Sequence, residues 1–176
     1  GNPMNLIMCF GTYAAISKEL GMPLKYPGDL RGYAAINQVT DSGLLARMTL
    51  WAATSPNAAN EIFNITNGDG FRYENVWPDW AAAFGMEVGM PQRIISSDVM
   101  TDKGHIWEKI VQKYDLVRLP YEQTAGWPYF DFNMDTAWDV LMSDAKRIDK
   151  GFVEVVDTEQ MFLNLFAEFR RRKVLP

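Results

Sequence analysis

A serine-activating relay, a metal site and a nucleotide cradle each demand particular side chains at particular spacings. His105 is the only histidine and Cys9 the only cysteine in the 176 residues. A Ser-His-Asp relay or a multi-histidine metal site therefore lacks material. His105, in the first turn of a helix, reads as a surface residue. Cys9 sits in the apolar run Leu6 to Phe10 and reads as a small buried hydrophobe. Asp131, Asp135 and Asp139 recur every four residues and could hold a hard cation, but the aromatics among them favour solvated charges. Gly68-Asp69-Gly70 is the nearest approach to a pyrophosphate-binding Gly-x-Gly-x-x-Gly, yet Tyr73 stands where the third glycine belongs. It reads as a turn. No tyrosine has a lysine four residues on, the pair that lowers a phenol's pKa for proton donation. Tyr13 meets Ser17, and Lys18 comes one position late. No catalytic set is complete in this sequence.

Composition narrows the partners. The formal charge is -5, and the only basic run is Arg170-Arg171-Arg172-Lys173, which reads as a solvated last helical turn. Nucleic acid is not an expected partner. No apolar stretch approaches the roughly 18 residues of a membrane span, and Gly1-Asn2-Pro3 is not a basic leader. The expected location is cytoplasmic. Six Trp, ten Phe, seven Tyr and ten Met suit a chain building a large apolar cavity, although a dense core accounts for them equally well.

These residues need elements to hold them. Asn2 caps a helix with Pro3 at its first position, spanning Met4 to Leu20 and ending at Gly21. Residues 23–28 form a short strand. Asp41 caps a helix from Ser42 to Ala53, with Leu44, Leu45, Met48 and Trp51 on one stripe. Residues 61–65 form a strand closed by the 66–70 turn. A helix from Tyr73 to Phe84 stops at Gly85, and Thr101 to Lys103 opens one that ends near Tyr114, burying Ile106, Trp107, Ile110 and Val111. The stretch from Leu119 to Met134 is irregular. Ser143 or Asp144 caps a turn at Lys146, and residues 153–156 form a strand. Asp157 opens the last helix, with Met161, Phe162, Leu165, Phe166 and Phe169 as its buried stripe. The class is α/β: helix-rich, one domain over 1–176, with a few short strands that leave a sheet incomplete.

Several segments are similar to the progesterone 5β-reductase/iridoid synthase-like enzymes, a family of extended short-chain dehydrogenases/reductases. They are Asn2-Pro3-Met4-Asn5-Leu6, Tyr13-Ala14-Ala15-Ile16, Tyr26-Pro27-Gly28, the Leu44 to Ala52 helix, Phe63 to Asp69, Lys146 to Phe152, and Phe162 to Pro176. Likeness to bacterial, NAD-dependent epimerase/dehydratase-like members is strongest over Asp157 to Phe162. The resemblance covers nearly the whole chain but only the C-terminal half of the family. It implies the substrate-binding part of an extended Rossmann-type reductase, with segments such as 61–65 completing that sheet.

The family's glycine-rich turn and catalytic Tyr and Lys belong to an N-terminal dinucleotide-binding half, which is not in this sequence and is the implied partner. NADPH is the implied cofactor of the full-length protein, with none expected to bind this chain alone. In such enzymes hydride goes to the β-carbon of an α,β-unsaturated carbonyl while a phenol stabilises the enolate oxygen. The resemblance further implies a small apolar carbonyl substrate, a homo-oligomer, and a pocket wall that includes Met4, Trp127, Tyr129 and Phe132. Phe130 and Phe132, two apart on an extended segment, would point to opposite sides, Phe130 into the core and Phe132 into the cavity. A sugar-nucleotide epimerase or dehydratase, and a non-catalytic binding or dimerisation domain, remain open.

Overall fold

The computed structural model describes residues 4–176. Its first helix, α1 (Leu6–Glu19), is capped by Asn5, whose Oδ1 accepts from Met8 N at 3.1 Å. The proposed Asn2-Pro3 cap lies outside the described residues. Nearly every side chain of α1 from Ile7 to Ser17 is buried, because the helix is packed by α6, α7 and α9. Gly21, at φ +69°, ends it.

Next come α2 (Leu30–Ala34), β1 (Ile36–Asn37) and α3 (Ser42–Thr54), then β2 (Phe71–Arg72) and α4 (Tyr73–Ala83). Asp41 caps α3 as expected, accepting from Leu44 N at 2.8 Å. Of the α3 stripe, Leu44 and Met48 are buried, whereas Leu45 is exposed. The chain continues through α5 (Ser96–Val99), α6 (Gly104–Tyr114), α7 (Trp127–Met134), α8 (Ala145–Asp149) and α9 (Thr158–Arg171). The four inward residues expected of α6 are all buried. Phe10 of α1 anchors the core, its ring 4.7–5.6 Å from those of Trp77, Trp80, Phe84 and Phe166, mostly in the edge-to-face geometry that aromatic quadrupoles favour. A second, smaller core gathers Leu44, Met48 and Phe152, with Trp51 and Phe63 against them.

The sheet is smaller than expected. β1 and β2 pair antiparallel, Ile36 opposite Arg72 and Asn37 opposite Phe71, and they form the only sheet among the described residues. Residues 23–28 make one isolated bridge, Leu24 with Val88, and run beside 87–94 through bonds such as Gln92 N to Tyr26 O at 3.0 Å. Residues 61–65 and 153–156 are not strands here. A strand is made by its neighbour, since its backbone groups must be paired. These two segments find only scattered partners, such as Thr40 Oγ1 donating to Ile65 O at 2.9 Å.

Two further expectations change. Residues 127–134 are helical, not irregular: Pro128 falls at the start of α7, where its missing N–H costs nothing, and Trp127, Phe130 and Met134 are buried at helical spacing. The basic run is not wholly solvated either. Arg170 donates to Ala83 O and Pro176 O, both at 2.7 Å, and lies over the Phe84 ring at 4.5 Å, so it neutralises the carbonyl end of α4. Among the described residues no helix is long and apolar enough to cross a membrane.

Candidate functional site

The start of α1, residues 38–42, α7 and α9 enclose a cleft of about 670 Å³. One polar turn fixes two of its walls. Asn67 accepts from Asp41 N at 2.6 Å and donates to Thr158 Oγ1 at 2.9 Å. Asp69 accepts from Thr158 N at 2.9 Å and Thr158 Oγ1 at 2.5 Å. The turn thereby ties the first residues of α9 to those of α3. Asp157 completes the α9 cap, accepting from Gln160 N at 2.9 Å.

The third wall, α7, is held from behind. Tyr26 Oη donates to Met134 O at 2.5 Å. Asp131 accepts from Ser96 N (2.7 Å), Ser97 N (2.9 Å) and Ser97 Oγ (2.5 Å). Gly28 packs so closely that a Cβ there would stand 1.9 Å from Met134 O. Only glycine allows this approach.

Inside the cleft the surface is part apolar and part polar, with Ile7, Val39, Met161, Leu165 and Phe169 forming the apolar side. Most of its polar groups are committed. Gln38 bonds Asp69 O and Met142 N, and Thr40 bonds Ile65 O. Asp41 caps α3, and Glu168 pairs with Arg171. The half-buried Tyr129 phenol makes no hydrogen bond to a described residue. Asn133, one turn on, donates Nδ2 to Tyr129 O at 2.7 Å and leaves Oδ1 uncommitted. Behind them burial, and then the nearby Tyr129 phenol, push the Tyr73 hydroxyl's pKa up from its ordinary value, so Tyr73 stays neutral.

Of the four residues expected at a pocket, the cleft brings two together. Met4, 61% exposed, stands at its rim, and Tyr129 lines its wall. Trp127 is buried among Tyr121 and Phe130, at ring distances of 6.4 and 6.1 Å. Phe132 is 70% exposed on α7, outside the cleft lining. Asn133 escaped the sequence reading, and the row of Met161, Leu165 and Phe169, expected in the buried stripe of the last helix, is half-buried in the cleft wall instead. The row was legible: it repeats every four residues, offset by one from the buried Phe162 and Phe166.

Similarity to known proteins covers the same residues. The (S)-8-oxocitronellyl enol synthase of Antirrhinum majus is 35% identical over 176 residues, covering 98% of this chain and 45% of its own length. Its counterparts from Nepeta cataria and Catharanthus roseus are 32% and 27% identical over 177 residues, with the same coverage. The chain's curated relatives are iridoid synthase-like, and the match takes in 98% of this chain. It spans about half the length of these curated relatives. No family model matches it.

The iridoid synthase-like relationship raises the question of a nucleotide site. Gly68, at φ +98°, is the residue best suited to a cradle. A Cβ there would meet Val155 Cγ1 at 2.6 Å, and the neighbouring Asp69 carboxylate is spent on Thr158. The turn packs on protein and turns a carboxylate, not open N–H groups, to its surroundings. A pyrophosphate does not fit it. The acidic ladder is equally committed: Asp131 on Ser96 and Ser97, Asp135 on Arg93, and Asp139 on Ile36 N at 2.8 Å. No group of potential metal ligands occurs among the described residues.

Proposed function

We propose that this chain is the substrate-binding part of an NADPH-dependent reductase acting on the C=C bond of α,β-unsaturated carbonyl compounds. The observation that carries this reading is the cleft with one apolar side, walled by Tyr129 and rimmed by Met4, in a chain homologous to (S)-8-oxocitronellyl enol synthases along 98% of its length. Its apolar side, formed by Ile7, Val39, Met161, Leu165 and Phe169, excludes water from an enone and orients it.

The partner in this reading is a dinucleotide-binding half that supplies the pyrophosphate cradle and the catalytic Tyr and Lys. Its docking face is the small second core and the 61–65 and 153–156 segments. Ile62 is 87% exposed there, and Val153 and Val155 are also exposed. Segments with sparsely paired backbone and outward aliphatic side chains are what a sheet edge adds to itself. The experiment is to join the chain to such a half and follow NADPH oxidation with apolar enones. Turnover that falls on Tyr129→Ala while NADPH affinity holds supports the reading. Turnover indifferent to Tyr129→Ala removes the cleft from the reaction.

A further inference from the structure

We infer that the cleft selects a carbonyl compound that also bears a hydroxyl group, held between Tyr129 and Asn133. The inference rests on the reading of the cleft as a substrate site and goes beyond it, because a carbonyl oxygen only accepts: it can pair with the Tyr129 phenol but leaves Asn133 Oδ1 idle. Tyr129 and Asn133 are four apart on α7, so they stand on one face of the helix, about 5–6 Å apart at Cβ. Both are half-buried in the same lining. The phenol has one proton to donate and no described partner. The Asn133 amide has its nitrogen fixed on Tyr129 O, which orients the amide and leaves Oδ1 as an acceptor.

The remaining lining explains why these two carry the selection. Ser42 and Arg172 are exposed, in contact with water. Asn5, Gln38, Thr40 and Asp41 hold the walls in place. A ligand hydroxyl satisfies both groups at once, accepting from the Tyr129 phenol and donating to Asn133 Oδ1. A methyl group in its place desolvates both and bonds neither. Discrimination of this kind comes from the penalty on unpaired polar groups in an apolar site, and it exceeds what an added methylene achieves.

The test titrates the purified chain with two probes, 3-nonen-2-one and 9-hydroxy-3-nonen-2-one, and follows backbone amide shifts around α7 and α9. The hydroxylated ketone is expected to bind about ten-fold more tightly. Tyr129→Phe, which keeps the ring, and Asn133→Ala should each bring the two affinities close to equal. If the wild-type chain binds the plain enone as tightly or more tightly, or if the preference survives both substitutions, the hydroxyl inference is overturned while the substrate-site reading stands. If neither ketone gives saturable shifts at the cleft residues, that reading falls, and the inference falls with it.

Discussion

Phe130 and Phe132 are separated by a single residue, yet the first is fully buried and the second 70% exposed. Strand alternation would separate them in this way, and so does a helix, on which two residues span about 200°. The expected core position of Phe130 thus holds on a different backbone, whereas Phe132, expected in the cavity, lies outside the cleft lining. Phe130→Ala is expected to destabilise the chain by roughly 3–5 kcal/mol, as loss of a buried aromatic does. Phe132→Ala should stay within about 0.5 kcal/mol, and urea denaturation of both variants measures the contrast. Cys9 offers a pH readout. Burial raises its thiol pKa to about 11, outweighing the backbone hydrogen bonds that lower it. The folded value exceeds the unfolded one, so this contribution is complete below about pH 9 and is lost as the pH rises towards 11. Cys9→Ala should therefore flatten the alkaline fall in denaturation midpoint, and a thiol reagent at pH 8 should label Cys9 only as the protein unfolds. Rapid labelling of the native chain would contradict its burial.

Elements are held by polar clamps as much as by their apolar faces. Arg147, fully buried, pairs with Asp144 at 2.9 Å and donates to the carbonyls of Phe152 and Glu154, at 3.1 and 2.7 Å. Asp144 also accepts from Thr66 N at 3.1 Å and from the Thr66 hydroxyl. Burial alone would raise the Asp144 pKa, but the bonds from Arg147 and Thr66 outweigh it and hold the carboxyl below its ordinary value. Its folded value is depressed, so the clamp contributes fully above about pH 4 and is lost as the pH falls further. Arg147→Ala is expected to cost roughly 3–5 kcal/mol, because it strands a buried carboxylate. Hydrogen exchange should then rise first at Thr66 to Gly68 and at Val156, whose N–H bonds Asn67 O at 2.8 Å. Exchange rising uniformly over the chain would assign Arg147 to global stability instead. At the α7 wall, Gly28→Ala forces a Cβ against Met134 O and should lower the melting temperature while shifting the Tyr129 amide signal.

The whole molecule presents an unusual distribution of apolar surface. Leu50, Ile62, Val153 and Val155 are each more than 60% exposed, around the smaller of two cores. Apolar surface of this kind marks an interaction face. Without a partner half the chain should self-associate as its concentration rises, and Ile62→Lys with Val153→Lys should reduce this in light scattering. A monomer at every concentration would show that the face needs no cover. NADPH titrated against the chain alone should give no saturable micromolar fluorescence change, since the Gly68 turn is packed on Val155. Saturable binding would instead place a cofactor site within these residues.

The sequence by itself determined the helices that carry their own signals. Asp41 and Asp157 as caps, Gly21 and Gly85 as stops, and the Ile106, Trp107, Ile110, Val111 face are all local, set by backbone capping and 3.6-residue periodicity. Family likeness was legible too, in short segments whose order spans the chain. Tertiary structure alone decided the rest. Residues 61–65 and 153–156 have strand-like composition, but pairing depends on a neighbour that a one-dimensional pattern does not name. α7 was hidden because proline, glycine and aromatics suggest a loop until packing buries Trp127, Phe130 and Met134 on one side. The cleft joins Met4, Tyr129 and Leu165, residues up to 161 positions apart. Their convergence depends on how α7 and α9 dock on α1, and docking is a property of packed surfaces, not of any one segment.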